Sequence, residues 1–132
     1  MTKKVALHPK ALPKAFGVWS PAIACESGKM VFISGLTARD PSGNVVGEGD
    51  YAAQTRQVCE NLKASIEEAG GTLDDIMSVT VFACDVDKDK FDAIHKVRKE
   101  YFPQDPPAST MVQITRLVDK RCLIEINAIA VL

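Results

Sequence analysis

A chain of 132 residues with 46% hydrophobic and 25% charged side chains has the make-up of an ordinary globular domain, which excludes a disordered chain and predicts one domain over residues 1–132. Its 16 basic and 17 acidic side chains leave a net charge of −1, and the basic ones are scattered, so no footprint for nucleic acid or anionic lipid is expected. No apolar run approaches the ~20 residues of a membrane-spanning helix.

The first segment, "VALHPKALPKAFG", is too short and too rich in proline for a secretory leader. The cysteines Cys25, Cys59, Cys84 and Cys122 show no C-x-x-C spacing and read as buried, reduced thiols of a cytoplasmic protein. With His8 and His95 they form no ligand spacing for zinc, so no metal is expected. "AIACESGKMVFISG" carries two apolar runs around Ser27-Gly28-Lys29, which predicts a hairpin with strands near Ala22–Glu26 and Met30–Ser34. A turn-rich loop follows, with Pro41, Gly43 and Gly47.

From Tyr51 to Ala69 the period is helical: Val58, Leu62 and Ile66 recur on one face, and Gly70-Gly71 ends the run. "MSVTVFACD", Met77–Asp85, is a strand apolar on both alternations. Phe91–Phe102 is a second helix with Phe91, Ile94, Val97 and Tyr101 as its stripe, closed by Pro103. "ASTMVQITRL" and "CLIEINAIAVL" read as two strands joined by a turn at Val118–Arg121. The fold expected is therefore α+β: one mixed sheet with two helices on one face. The last strand points Cys122, Ile124, Ile126, Ala128 and Ala130 one way and Leu123, Glu125, Asn127, Ile129 and Val131 the other, so both faces are largely apolar. One chain has no third layer to cover the second face. An oligomer in which sheet packs on sheet is expected.

Three stretches, "FISGLTARDPSGNVV", "AAQTRQVCENLKASIEEAGGTLDDIMSVTVFACD" and "IEINAIAVL", in this order resemble the RidA (YjgF) family of reactive-intermediate deaminases, over about Phe16–Val131. The resemblance implies a chorismate-mutase-like domain, a homotrimer whose sheets form an inner barrel, and ligand clefts at the subunit boundaries. It also implies hydrolysis of enamines or imines to keto acids and ammonia, with no cofactor. Such a site has only to hold a small substrate, place a water at an electrophilic carbon and relay protons.

Site residues carry over one by one. The cleft aromatic of the family falls on Trp19, the close backbone approach on Ser34 and Gly35, and the water-positioning glutamate on Glu125. A helix asparagine is replaced by His95. The family's Pro-Ala-Arg-Ser stretch reads Pro107-Ala108-Ser109-Thr110 here, with Met111 following as the residue whose carbonyl holds water. The arginine that grips the substrate carboxylate is thus a serine, and a hydroxyl cannot supply that charge. Arg39, Arg116, Lys120 and Arg121 are near strand ends, and nothing in the sequence selects one of them as a replacement. Glu125, His95 and Ser109 are the expected catalytic residues; Trp19, Ser34, Gly35, Thr110 and Met111 are the expected substrate contacts. Each has a structural alternative: Glu125 as an interface carboxylate, His95 as a half-exposed helix residue, the hydroxyls as loop ties, Trp19 as a plug. The function expected is a hydrolase of a small imine, enamine or related planar metabolite, 2-aminoacrylate being a poor fit. The alternatives are a metabolite-binding trimer without turnover and, third, a ribonuclease or translation inhibitor.

Overall fold

The computed structural model describes residues 4–132. Its strands are β1 (Lys4–Leu7), β2 (Ala22–Cys25), β3 (Met30–Leu36), β4 (Ile76–Cys84), β5 (Ala108–Ile114) and β6 (Ile124–Val131); its α-helices are α1 (Tyr51–Glu68) and α2 (Lys88–Tyr101), with a 3-10 turn at Leu73–Asp75. The main sheet runs β3-β6-β4-β5. β6 pairs antiparallel with both β3 and β4, while β5 lies parallel to β4 after the α2 crossover. A parallel neighbour requires such a crossover, and α2 provides it.

Both helices start on an aspartate. Asp50 accepts from the Ala53 amide and Asp87 from the Lys90 amide, each satisfying a donor that the first turn leaves free. α1 ends where Gly70 turns left-handed at φ +92° and Gly71 donates back to the Ile66 carbonyl. The helices pack one sheet face: Val58, Leu62 and Ile66 of α1 and Ile94 of α2 meet Val79, Val81, Ile124, Ile126 and Ala128, all buried. Each aliphatic side chain so buried contributes roughly 1.5–3 kcal/mol.

Pairing differs from the sequence expectation in three places. β2 and β3 do not form a hairpin: β2 pairs with β1, in a segment not expected to be a strand, while β3 pairs with β6. The Ser27-Gly28 turn instead sends the chain to the C-terminus, where Lys29 and Leu132 exchange backbone hydrogen bonds at 2.9 Å. β3 gains more by setting Ile33 into the core than by local pairing with the short, half-exposed β2. β5 and β6, consecutive in sequence, are separated in the sheet by β4, and β6 begins at Ile124 rather than Cys122.

The face of the sheet away from the helices is left open by this chain. Met30, Phe32, Val112 and Ile129 stand exposed there, Phe32 at 71%. Registers pair Phe32 with Ile129, Thr80 with Asn127 and Phe82 with Glu125, so these residues share that face.

Candidate functional site

α2 and β5 build the site together with the loop 16–20. Ser20 ties that loop to the entrance of β5: its amide donates to the Pro107 carbonyl at 3.1 Å and its hydroxyl to the Pro106 carbonyl. Gly17, at φ +97°, passes against the His95 ring, where an added Cβ would stand 3.1 Å from Cδ2. Only glycine combines that backbone with that approach. The loop thereby brings Trp19 over the start of β5. The Trp19 indole N–H is used by the Phe16 carbonyl, and the two rings meet edge to face at 6.0 Å.

A cavity of about 250 Å³ results, lined by Phe16, Trp19, Phe91, His95, Arg98, Ser109 and Met111. His95 stacks on Phe91, with ring centroids 3.9 Å apart. Its Nδ1 lies 3.2 Å from the Phe91 carbonyl. A proton on Nδ1 donates there and leaves Nε2 with a free lone pair. Burial, and then the neighbouring Arg98 charge, hold the His95 pKa below its ordinary value, so the ring is neutral at pH 7.

Arg98 is the residue that sequence reasoning missed. It is 1% exposed, on the inner face of α2 one turn after Ile94. Its Nη2 donates to the Ser109 hydroxyl at 2.9 Å and to the Val18 carbonyl at 3.3 Å. Burial lowers its pKa to about 10, which leaves it charged at neutral pH. None of the four cations weighed from the sequence lines this cavity; Arg39 and Arg121 are both engaged with Asp119. The available signal was position: Arg98 falls four residues after Ile94 and seven after Phe91, on the buried stripe.

Of the expected site residues, Trp19, His95, Ser109 and Met111 come together in the cavity. Ser34, Gly35, Thr110 and Glu125 do not join them. Ser109 and Met111 are paired with Val79 and Val81 and share their helix-facing side; Thr110 is paired with Thr80 and faces the open side. Glu125 alternates with the buried Ile124 and Ile126 and also faces the open side. It lies over Gly35, in a one-residue bulge between Ile33 and Leu36, and a Cβ on Gly35 would collide with its carboxylate. Within one chain the sheet separates Glu125 from Ser109.

The Endoribonuclease L-PSP family matches residues 9–132. The chain is 40% identical over 130 residues to a RutC family protein of Pyrococcus abyssi, covering 98% of each. The chain belongs to this family, that of the RutC and Rid proteins. It is also 37% identical over 130 residues, 98% of each chain, to the 3-aminoacrylate deaminase RutC of Acinetobacter baylyi. A solved Rid family protein of unknown function, YyfB of Yersinia pestis, superposes with a TM-score of 0.90 at 30% identity over 98% of both chains. The Rid-type α+β fold, two helices on a mixed sheet, is therefore that of this chain. No helix among the described residues is long and apolar enough to cross a membrane.

Proposed function

We propose that the protein is a hydrolytic deaminase of small imines or enamines, working in clefts completed by neighbouring subunits of a homotrimer. Water adds to the imine carbon, the carbon–nitrogen bond breaks, and keto acid and ammonia leave. The supporting observation is the cavity in which a neutral His95, its Nδ1 beside the Phe91 carbonyl, stands with Ser109 and a buried cation. His95 would accept a proton from the attacking water and return it to the departing nitrogen. Family membership, with a relative named 3-aminoacrylate deaminase, supports the reaction class.

Glu125 fits this scheme as the water-ordering group only from another subunit, since its own chain holds it on the far face. The exposed Phe32, Ile129, Met30 and Val112 supply the apolar surface for such an assembly. A second reading, a metabolite-binding trimer without turnover, draws on one feature: no carboxylate among the described residues lines the cavity.

The test generates imino acids in situ with an amino-acid oxidase and follows keto acid release with and without the protein, with His95→Gln and Glu125→Gln alongside. Acceleration that both variants lose supports hydrolysis. Ligand binding without acceleration supports the binding protein.

A further inference from the structure

Arg98 presents a problem of charge. A guanidinium removed from water is costly unless an anion faces it. Its two hydrogen bonds reach neutral oxygens, those of Ser109 and Val18, and no carboxylate among the described residues pairs with it. Yet, though only 1% exposed, it borders the cavity. The guanidinium carries five N–H donors in a planar fork, shaped to grip a carboxylate with two parallel bonds. A negative group in the cavity completes the pair that the protein leaves unfinished.

The other walls describe the rest of the ligand. Phe16, Trp19, Phe91, His95 and Met111 are flat or apolar surfaces, and the indole N–H is already engaged. The volume is about 250 Å³, well beyond the roughly 10–15 Å³ that one water needs on this measure. A three-carbon acid leaves most of the aromatic wall bare.

We propose that Arg98, reaching in from α2, is the carboxylate-binding residue of this cavity, and that the cavity takes acids carrying a flat apolar group, such as the imino acids of aromatic amino acids. Ser109 is small so that the helix guanidinium can reach the cavity past β5, and its hydroxyl fixes the plane of the fork. Three-carbon aminoacrylates are turned over slowly, because binding energy from the remote group is missing. The reaction that supplies the substrate is then the two-electron oxidation of an aromatic amino acid at its Cα–N bond by an amino-acid oxidase, oxygen taking the electrons, or the elimination of water from a β-hydroxy aromatic amino acid, whose enamine tautomerises to the imine. The choice of an imine rests on the function proposed above; the carboxylate site does not.

The test is calorimetric titration of the full chain with trans-cinnamate, with the uncharged isostere cinnamamide, and with acrylate. Cinnamate should bind at least about tenfold tighter than either. Arg98→Met, which keeps an unbranched side chain and removes a buried charge, should fold at least as stably and bind acid and amide alike. Equal binding of acid and amide by the unaltered protein overturns the proposal, as does undiminished cinnamate binding by Arg98→Met. Failure of the unaltered protein to bind cinnamate overturns it too. Cinnamate binding without acceleration of imine hydrolysis upholds the site and sinks the deaminase reading. Hydrolysis indifferent to the carboxylate does the reverse.

Discussion

The two faces of the sheet use the same alternation for opposite ends. On the helix side, Val79, Val81, Ile124 and Ile126 are closed over by α1 and α2, and a gap between α2 and β5 holds Arg98 and the aromatic cavity. On the open side, Phe32 and Ile129 face outward around the polar positions Thr80, Thr110, Asn127 and Glu125. The helix side buries its aliphatic core within a single chain. The open side leaves its apolar residues exposed in the single chain. A fold that finishes one face and exposes the other separates stability from assembly, so substitutions on the two faces should fail in different ways.

The largest effect is expected from Phe32→Glu. A carboxylate at the centre of a sheet-to-sheet contact is desolvated without a partner. Light scattering should show the particle fall to a single 14.3-kDa chain, and keto acid release should drop to background. Near-normal helical circular dichroism should persist, because the helix-side core is untouched. A particle unchanged in mass would break the comparison at its root.

Stability offers the next contrast. Ile126→Ala, on the helix side, should cost about 2–5 kcal/mol in urea unfolding. Ile129→Ala, three positions along the same strand but facing outward, should cost much less in the Phe32→Glu background, where the open face is wetted. Equal losses at the two positions would mean that the open face is covered within the chain.

Helices were legible in the sequence because their signal is local: the Val58–Leu62–Ile66 period, and a glycine pair that stops the run. The apolar character of both faces of the last strand was legible too, from its two alternations. Strand order was not. β3 pairs with β6 some hundred residues away, and the Ser27-Gly28 turn looks the same whether the chain doubles back locally or departs. The site was half legible for the same reason. Trp19, His95, Ser109 and Met111 lie in segments whose neighbourhood a family resemblance can carry. That Glu125 and Ser109 face opposite ways depends on register across β4, which no local pattern encodes. Arg98 was hidden by its charge: a charged residue on a helix is normally solvated, and here it sits on the apolar stripe.

Gly35→Ala probes the open face more gently. Its methyl would displace the Glu125 carboxylate from above the β3 bulge while leaving the cavity intact. If Glu125 orders water for a neighbouring subunit, keto acid release should fall by about 10²-fold or more, with cinnamate affinity unchanged. Loss of affinity in step with rate would place Gly35 in the binding surface instead.

The smallest effect, on the helix side, is a pH dependence of stability. His95 has its pKa lowered by burial and by Arg98, against weaker opposing contributions from the Phe91 carbonyl and Asp92; Gly17, Trp19 and Ser109 around it bring no charge. In the unfolded chain the ring titrates near its ordinary 6.5. As pH falls below that value the unfolded state takes up a proton that the folded state refuses, so stability declines until the folded pKa is passed. Full stability from this residue is present above pH 6.5. His95→Gln should flatten the decline between pH 6.5 and the folded value, and Arg98→Met should narrow it by removing the neighbouring charge. Urea midpoints measured at half-unit pH steps would read both. A profile unchanged by Arg98→Met would mean that burial alone, and not the guanidinium, keeps His95 neutral in the cavity.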